Sequence, residues 1–102
     1  MENKQYDVLN NTKDLQFETL VNGNKAFLSY RFYKKDIAFI HTEVPPEIRG
    51  AGIAKALAVA AFAYAKDNNM KVINFCPYVA SFIIKYNEYR AQLDPEFIHK
   101  GN

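Results

Sequence analysis

The feature that most constrains this chain is an alanine-rich segment, residues 53–67, that carries almost no charge up to residue 65. Alanine is the strongest helix former, so the segment predicts a helix. Between residues 53 and 65 only Lys55 is charged, and a helix with so little polar surface has to be covered on most of its sides. We therefore expect a helix that lies against a sheet.

Three strand-like segments precede this helix, at residues 15–21, 26–33 and 37–44. Their alternating side chains and the short polar breaks between them, the first of which reads Asn-Gly-Asn, predict an antiparallel meander. Pro45-Pro46 ends the third strand, because proline cannot donate a hydrogen bond to a ladder.

A fourth strand and a second helix follow the alanine-rich helix, at residues 71–76 and 79–89. The third strand, the alanine-rich helix and the strand at 71–76 form a β-α-β crossover, which makes its two strands parallel. The predicted fold class is α+β: a three-stranded antiparallel meander, a β-α-β crossover and a C-terminal helix on one mixed sheet. The carboxyl ends near Glu43 and Cys76 then lie at the same sheet edge, where open α/β sheets bind ligands.

The length of 102 residues, 49% of them hydrophobic, fits one compact domain. We divide the chain into a flexible lead-in (1–14), the domain (15–94) and a tail (95–102). A single cysteine excludes an internal disulfide and a Cys-rich zinc site, and His41 and His99 do not supply the missing ligands.

Partner classes are narrowed by charge and hydropathy. The longest apolar stretch is shorter than the roughly 18 residues of a membrane span, and the polar N-terminus has no signal-peptide pattern. We expect a cytoplasmic protein without a membrane partner. The net charge of +2 comes from mixed charges rather than a basic stripe, so no nucleic-acid partner is expected.

The loop before the alanine-rich helix is the strongest candidate for a ligand site. Gly50 and Gly52 let the backbone approach a ligand closely, and the first helical amides, aligned with the helix dipole, suit a phosphate. Arg49 can bind phosphate oxygens with its guanidinium. A turn that only starts a helix is the alternative. The dinucleotide fingerprint is absent because Lys55 stands where its third glycine belongs, and no Walker loop occurs.

Three motifs together resemble a known family. Arg49-x-x-Gly52-x-Ala54 resembles the pyrophosphate loop Q/R-x-x-G-x-G/A of the GNAT acyl-CoA N-acyltransferases. His41-Thr42-Glu43-Val44-Pro45 before it and Cys76-Pro77-Tyr78-Val79 after it resemble the small single-domain members. The resemblance covers roughly residues 15–94.

This resemblance implies an acyl-CoA-binding domain in which two parallel strands splay to admit the pantetheine arm. The pyrophosphate would lie on the backbone amides of residues 49–54. Acetyl-CoA or coenzyme A is the implied cofactor, and the acceptor amine and the oligomeric state stay open. The cofactor-binding residues it implies are Val44, Arg49, Gly50, Ala51, Gly52, Ile53, Ala54, Lys55, Cys76 and Tyr78.

The chain also departs from the family pattern. The short Asn-Gly-Asn turn leaves no room for the two acceptor-binding helices of full-sized members, and their tyrosine acid has no matching position. Residues 86–89 read Tyr-Asn-Glu-Tyr where the small members have His-Pro-Glu-Tyr. The missing helices and the missing tyrosine acid favour the alternative to an N-acetyltransferase, a CoA-binding or sensing module that acts through a partner protein. A structural domain that binds nothing is the third reading.

Three residues are candidates for the chemistry of acetyl transfer from acetyl-CoA to an amine. Cys76 could take the acyl group as a thiolate or only contact the ligand, and a buried small hydrophobe is its alternative role. His41 and Glu43 are two residues apart and are predicted to share a strand face with Phe39. Glu43 could deprotonate the amine, and a structural pair is the alternative.

Overall fold

One mixed sheet organises residues 6–97, the part of the chain that the computed structural model describes. Its five strands follow the order β1-β2-β3-β4-β5, antiparallel from β1 to β4 and parallel between β4 and β5. The predicted α+β class, with its meander, crossover and C-terminal helix on a mixed sheet, is confirmed. The elements are β1 (Leu9–Asn11), β2 (Gln16–Val21), β3 (Asn24–Tyr33), β4 (Asp36–Glu43), α1 (Ile53–Asp67), β5 (Val72–Asn74) and α2 (Pro77–Lys85).

Helix α1 has the bounds predicted from its alanines, and it joins the sheet to α2. The Phe62 ring lies 5.2 Å from Phe39 of β4 and 5.9 Å from Phe82 of α2, measured between centroids. All three side chains are buried in one core cluster, so the sheet and both helices pack as a unit. No helix within residues 6–97 is long and apolar enough to cross a membrane.

The first strand was not predicted. β1 pairs with β2 inside the segment expected to be a flexible lead-in, and the Tyr30 hydroxyl donates a hydrogen bond to Asn10 Oδ1 at 2.7 Å. A three-residue strand with two asparagines lacks the alternation that marks a longer strand. Residues 1–5 of the lead-in and 98–102 of the tail, including His99, lie outside the described residues. The division into three segments stays a prediction.

The end of the domain also differs from expectation. β5 is shorter than residues 71–76, and α2 begins at Pro77 and ends at Lys85 rather than spanning 79–89. Tyr86, at φ −118° and ψ 74°, leaves the helical region, and a 3-10 helix follows at Asn87–Gln92. Leu93 then forms an isolated parallel bridge with Val72, the first residue of β5.

A β-bulge divides β4 into two halves. Tyr30 of β3 pairs with Phe39, whereas Ser29 pairs with His41, so Ile40 has no paired residue in β3. Directly paired residues point to the same face of the sheet, and Ser29 and Tyr30 point to opposite faces. The prediction that His41 shares a face with Phe39 is therefore wrong.

The bulge also aims Thr42 at the helices. Thr42 pairs with Leu28, whose side chain is fully buried in the core that the helices cover. Glu43 pairs with Phe27, the residue before Leu28 in β3, so its side chain leaves the sheet on the same face as His41. One inserted residue thus determines which side chains of β4 point toward the helices.

Candidate functional site

A groove lies where β4 and β5 separate. The paired residues of these strands end at Phe39 and Asn74, and one further hydrogen bond joins the Phe75 amide to the Phe39 carbonyl at 2.9 Å. Beyond it the groove encloses about 260 Å³. Its lining residues are Thr42, Glu43, Val44, Arg49, Ala54 and Tyr78.

The two strand ends predicted to lie at the same sheet edge do so. Thr42 Oγ1 lies 3.2 Å from Cys76 Sγ, within hydrogen-bond distance for sulfur. Asn74 holds the turn after β5, because its Oδ1 accepts a hydrogen bond from the Cys76 amide at 3.0 Å and its Nδ2 donates to the Cys76 carbonyl at 3.1 Å. The Cys76 side chain, 1% exposed, belongs to the core cluster.

Sequence analysis missed Thr42 and Asn74 as site residues. Asn74 stands two residues before Cys76, and an asparagine that bonds the backbone two residues on is the signal of an Asx turn. Thr42 had no comparable signal, since its orientation depends on the bulge at Ile40.

The loop between β4 and α1 carries two glycines in the left-handed region. Gly50 has φ +83° and Gly52 has φ +78°, and a Cβ added at either position would meet no atom within 4 Å. The backbone conformation, and not crowding, is therefore what favours glycine here. The space over the loop is open to a ligand.

The first backbone amides of α1 have no acceptor within the helix. The Ala56 amide makes the first bond of the helix, to the Gly52 carbonyl at 3.1 Å, so the amides of residues 53–55 precede the ladder. The Arg49 amide, however, donates to the Pro46 carbonyl at 3.3 Å. The predicted amide cradle of residues 49–54 therefore has to begin at Gly50.

Two side chains hold the loop in place. Arg49 Nε donates to the Val44 carbonyl at 3.1 Å, which ties the loop to the end of β4. The Tyr6 hydroxyl donates to the Ala51 carbonyl at 2.6 Å from the segment before β1. The contact of Tyr6 spans 45 positions, and no local pattern in the sequence could have indicated it.

The acid–base candidates form an exposed pair. His41 Nε2 lies 2.9 Å from Glu43 Oε1, and the two side chains are 54% and 52% exposed. The His41 ring also meets the Phe27 ring edge-on, with centroids 6.1 Å apart. Glu43 lines the groove as well, so the pair borders both the groove and the sheet face that carries Phe27.

The remaining predicted residues surround the start of α1. Ile53 is buried, so it can offer a ligand only its backbone amide. Lys55 Nζ lies 4.7 Å from the centroid of the Tyr86 ring. Tyr78 is half-buried in the groove wall, and burial raises the pKa of its phenol above the ordinary value. The phenol is therefore protonated at neutral pH and can donate a hydrogen bond.

Comparison with known proteins identifies the family. The family model described as GCN5-related N-acetyl-transferase matches residues 16–93. This chain belongs to that family. Within residues 6–97, no three His, Cys, Asp or Glu side chains are arranged to hold a metal ion.

Relatives resemble the chain over most of its length. It is 37% identical to Protein NATD1 of Xenopus tropicalis over 89 residues, which is 81% of each chain. It is 37% identical to Protein NATD1 of Homo sapiens over 86 residues, 78% of this chain and 75% of that one. The solution structure of a GCN5-like protein from Staphylococcus aureus has a TM-score of 0.66 and 26% identity, and covers 92% of this chain and 91% of its own.

Proposed function

We propose that this protein binds acetyl-CoA and transfers the acetyl group to an amine. The observation that carries the proposal is the set of amides at residues 50–55, which have no backbone acceptor within residues 6–97 and lie directly beside a groove at the end of β4. Backbone amides at a helix N-terminus suit a diphosphate. The family of the chain supports the same ligand class.

The residues present fit coenzyme A. Amides from Gly50 to Lys55 would hold the pyrophosphate, and the open space over Gly50 and Gly52 leaves room for it. The pantetheine arm would lie in the groove, along Val44 and against Tyr78. When bound, acetyl-CoA supplies a thioester carbonyl that an amine can attack.

Glu43 is the proposed base for that attack. Its carboxylate is half-exposed beside the groove and is oriented by His41 at 2.9 Å, so it can accept the proton that the amine loses as the new C–N bond forms. The C–S bond then breaks, and the CoA thiolate leaves. Cys76 lies at the same end of the groove through its contact with Thr42, and it either contacts the thioester or takes the acetyl group as an intermediate.

The first experiment tests the ligand class. Thermal shift with acetyl-CoA, CoA and NAD should raise the melting temperature with the first two only, because a ligand that binds the native state stabilises it by mass action. The protein is first freed of bound metabolites. If saturating CoA then leaves its melting temperature unchanged, the proposal is contradicted.

The second experiment separates the roles of Glu43 and Cys76 by thiol release with a panel of amines. We expect Glu43→Gln to lower turnover at least a hundredfold, the range of general-base catalysis, with unchanged CoA affinity. Unchanged turnover contradicts the role of Glu43. Intact mass after incubation with acetyl-CoA reports on Cys76: an acetyl adduct supports covalent transfer, whereas no adduct together with full turnover of Cys76→Ala excludes it.

A second candidate function is a CoA-binding or sensing module that acts through a partner protein. Two observations favour it. The connections at residues 12–15 and 22–23 are short and contain no helix between β1, β2 and β3, and Cys76 is buried. This candidate predicts CoA binding without thiol release from any amine in the panel.

A further inference from the structure

A cluster of two lysines and a tyrosine joins the start of α1 to the end of α2. Lys55 Nζ lies 4.7 Å and Lys85 Nζ 5.6 Å from the centroid of the same Tyr86 ring. Both lysines are exposed, and the tyrosine is partly buried. We call Lys55, Lys85 and Tyr86 the lysine–tyrosine cluster. Its ring brings together cations from two helices, each within the range of a cation–π contact.

The charge of this cluster is not neutralised within residues 6–97. The ion pairs in that range join Lys25 to Glu18 and His41 to Glu43, which leaves Lys55 and Lys85 without a carboxylate partner there. The positive end of the α1 dipole adds to the two ammonium charges. A bound anion would relieve their repulsion.

Tyr86 responds to the same positive field. Its pKa is lowered from the ordinary value, first by a hydrogen bond with Lys55 and further by the charges of both lysines. The phenolate is thus favoured at this position by the same groups that would favour a phosphate.

The position of the cluster relates it to one part of coenzyme A. Lys55 is the third residue of α1, in the turn whose amides would hold the pyrophosphate. Lys85 lies seven residues along α2 from the groove residue Tyr78, about 10 Å at 1.5 Å per residue. In coenzyme A the pantetheine arm and the ribose are attached to opposite ends of the pyrophosphate. If the arm lies in the groove, the ribose and its phosphate therefore lie on the side of the cluster.

We propose that the lysine–tyrosine cluster binds the ribose 3′-phosphate of coenzyme A and so makes the protein select CoA over dephospho-CoA. This inference rests on the proposed function, since it needs the pyrophosphate at the start of α1. A 3′-phosphate carries nearly two negative charges at neutral pH, and two lysines match that charge. Tyr86 acts as a positioning residue that keeps both ammonium groups at one place.

Calorimetric titration with CoA and with dephospho-CoA tests the inference, because the two ligands differ only in the 3′-phosphate. We expect the unmodified protein to bind CoA at least tenfold more tightly. Lys85→Gln should weaken CoA binding about tenfold and leave dephospho-CoA binding unchanged, which reduces the preference to about one. Lys66→Gln, at the exposed far end of α1, removes the same charge and should keep the full preference.

The outcomes separate this inference from the proposed function. Absence of heat with both ligands contradicts the proposed function. Equal affinity for both ligands in the unmodified protein, or a Lys85→Gln variant that loses affinity for both alike, contradicts only the role of the cluster. Circular dichroism and melting temperature of each variant establish that it is folded, and adenosine 3′,5′-bisphosphate should compete with CoA in the unmodified protein but not in Lys85→Gln.

Discussion

At the scale of single residues, the site depends on backbone conformation more than on reactive side chains. Gly52 has a φ of +78° at the residue before α1, and its missing Cβ leaves open space above the loop. Gly23, in the turn between β2 and β3, has a φ of +79° and equally open surroundings. The two glycines therefore have the same φ and equally open surroundings.

This match allows strain to be separated from ligand binding. We expect Gly52→Ala and Gly23→Ala each to lower the free energy of unfolding by about 1–2 kcal/mol, the cost of an L residue in the left-handed region. Only Gly52→Ala should also weaken CoA binding, by at least tenfold, because its methyl group occupies the space over the amides. Urea denaturation and calorimetry measure the two effects, and equal CoA affinity in both variants would contradict the assigned place of the pyrophosphate.

At the scale of elements, β4 and the segment after α2 meet in a pair of carboxyl groups. Asp36 begins β4 and is buried, and its Oδ1 has no hydrogen-bond partner within the described residues. Burial, followed by a hydrogen bond with Asp94, raises the Asp36 pKa from 3.8 to about 6. The bond from Asp36 lowers the Asp94 pKa, so the pair shares one proton. The Asp94 amide donates to the Val72 carbonyl of β5 at 2.9 Å.

The shared proton makes stability depend on pH. Between about pH 4 and pH 6 the native protein retains a proton that the unfolded chain releases, so the free energy of unfolding falls as pH rises through this range. The melting temperature should be higher at pH 5 than at pH 7.5. Asp36→Asn, whose amide can donate to Asp94 at every pH, should flatten this dependence and add about 1 kcal/mol at pH 7.5.

Asp7→Asn is the matched control for this prediction, because it removes an exposed carboxyl at the other end of the chain. It should leave the pH dependence as in the unmodified protein. A pH dependence that is the same in Asp36→Asn would show that the proton lies elsewhere.

At the scale of the whole molecule, one aromatic side chain connects the layers. Phe62 contacts the rings of Phe39, Phe82 and Tyr89, the last at 4.9 Å between centroids. We expect Phe62→Leu to lower the free energy of unfolding by about 1–2 kcal/mol, since each aromatic pair contributes beyond its buried area. Val59→Ala on the same helix, 37% exposed, should change it by less than about 0.5 kcal/mol. Urea denaturation of both variants measures the two changes in the free energy of unfolding. Equal decreases in the two variants would contradict the central place of Phe62 in the core.

The parts of the fold that the sequence predicted are those with strong local signals. The alanines of α1 set its bounds, and the glycines with Arg49 indicated the loop. Other parts depend on tertiary contacts: β1 is a short polar strand that exists through its pairing with β2, and the end of α2 follows from the backbone of Tyr86. The face of His41 was wrong because a one-residue insertion leaves no mark in the alternation around Ile40.

The insertion at Ile40 affects which amino-acid substitutions the protein can accept. The half of β4 before Ile40, which ends at Phe39, is buried, whereas the half after it, with His41 and Glu43, is mostly exposed. Because the two halves keep separate registers, substitutions in the second half need not disturb folding. The second half of β4, which carries the proposed base Glu43, can therefore accept substitutions that leave the scaffold unchanged.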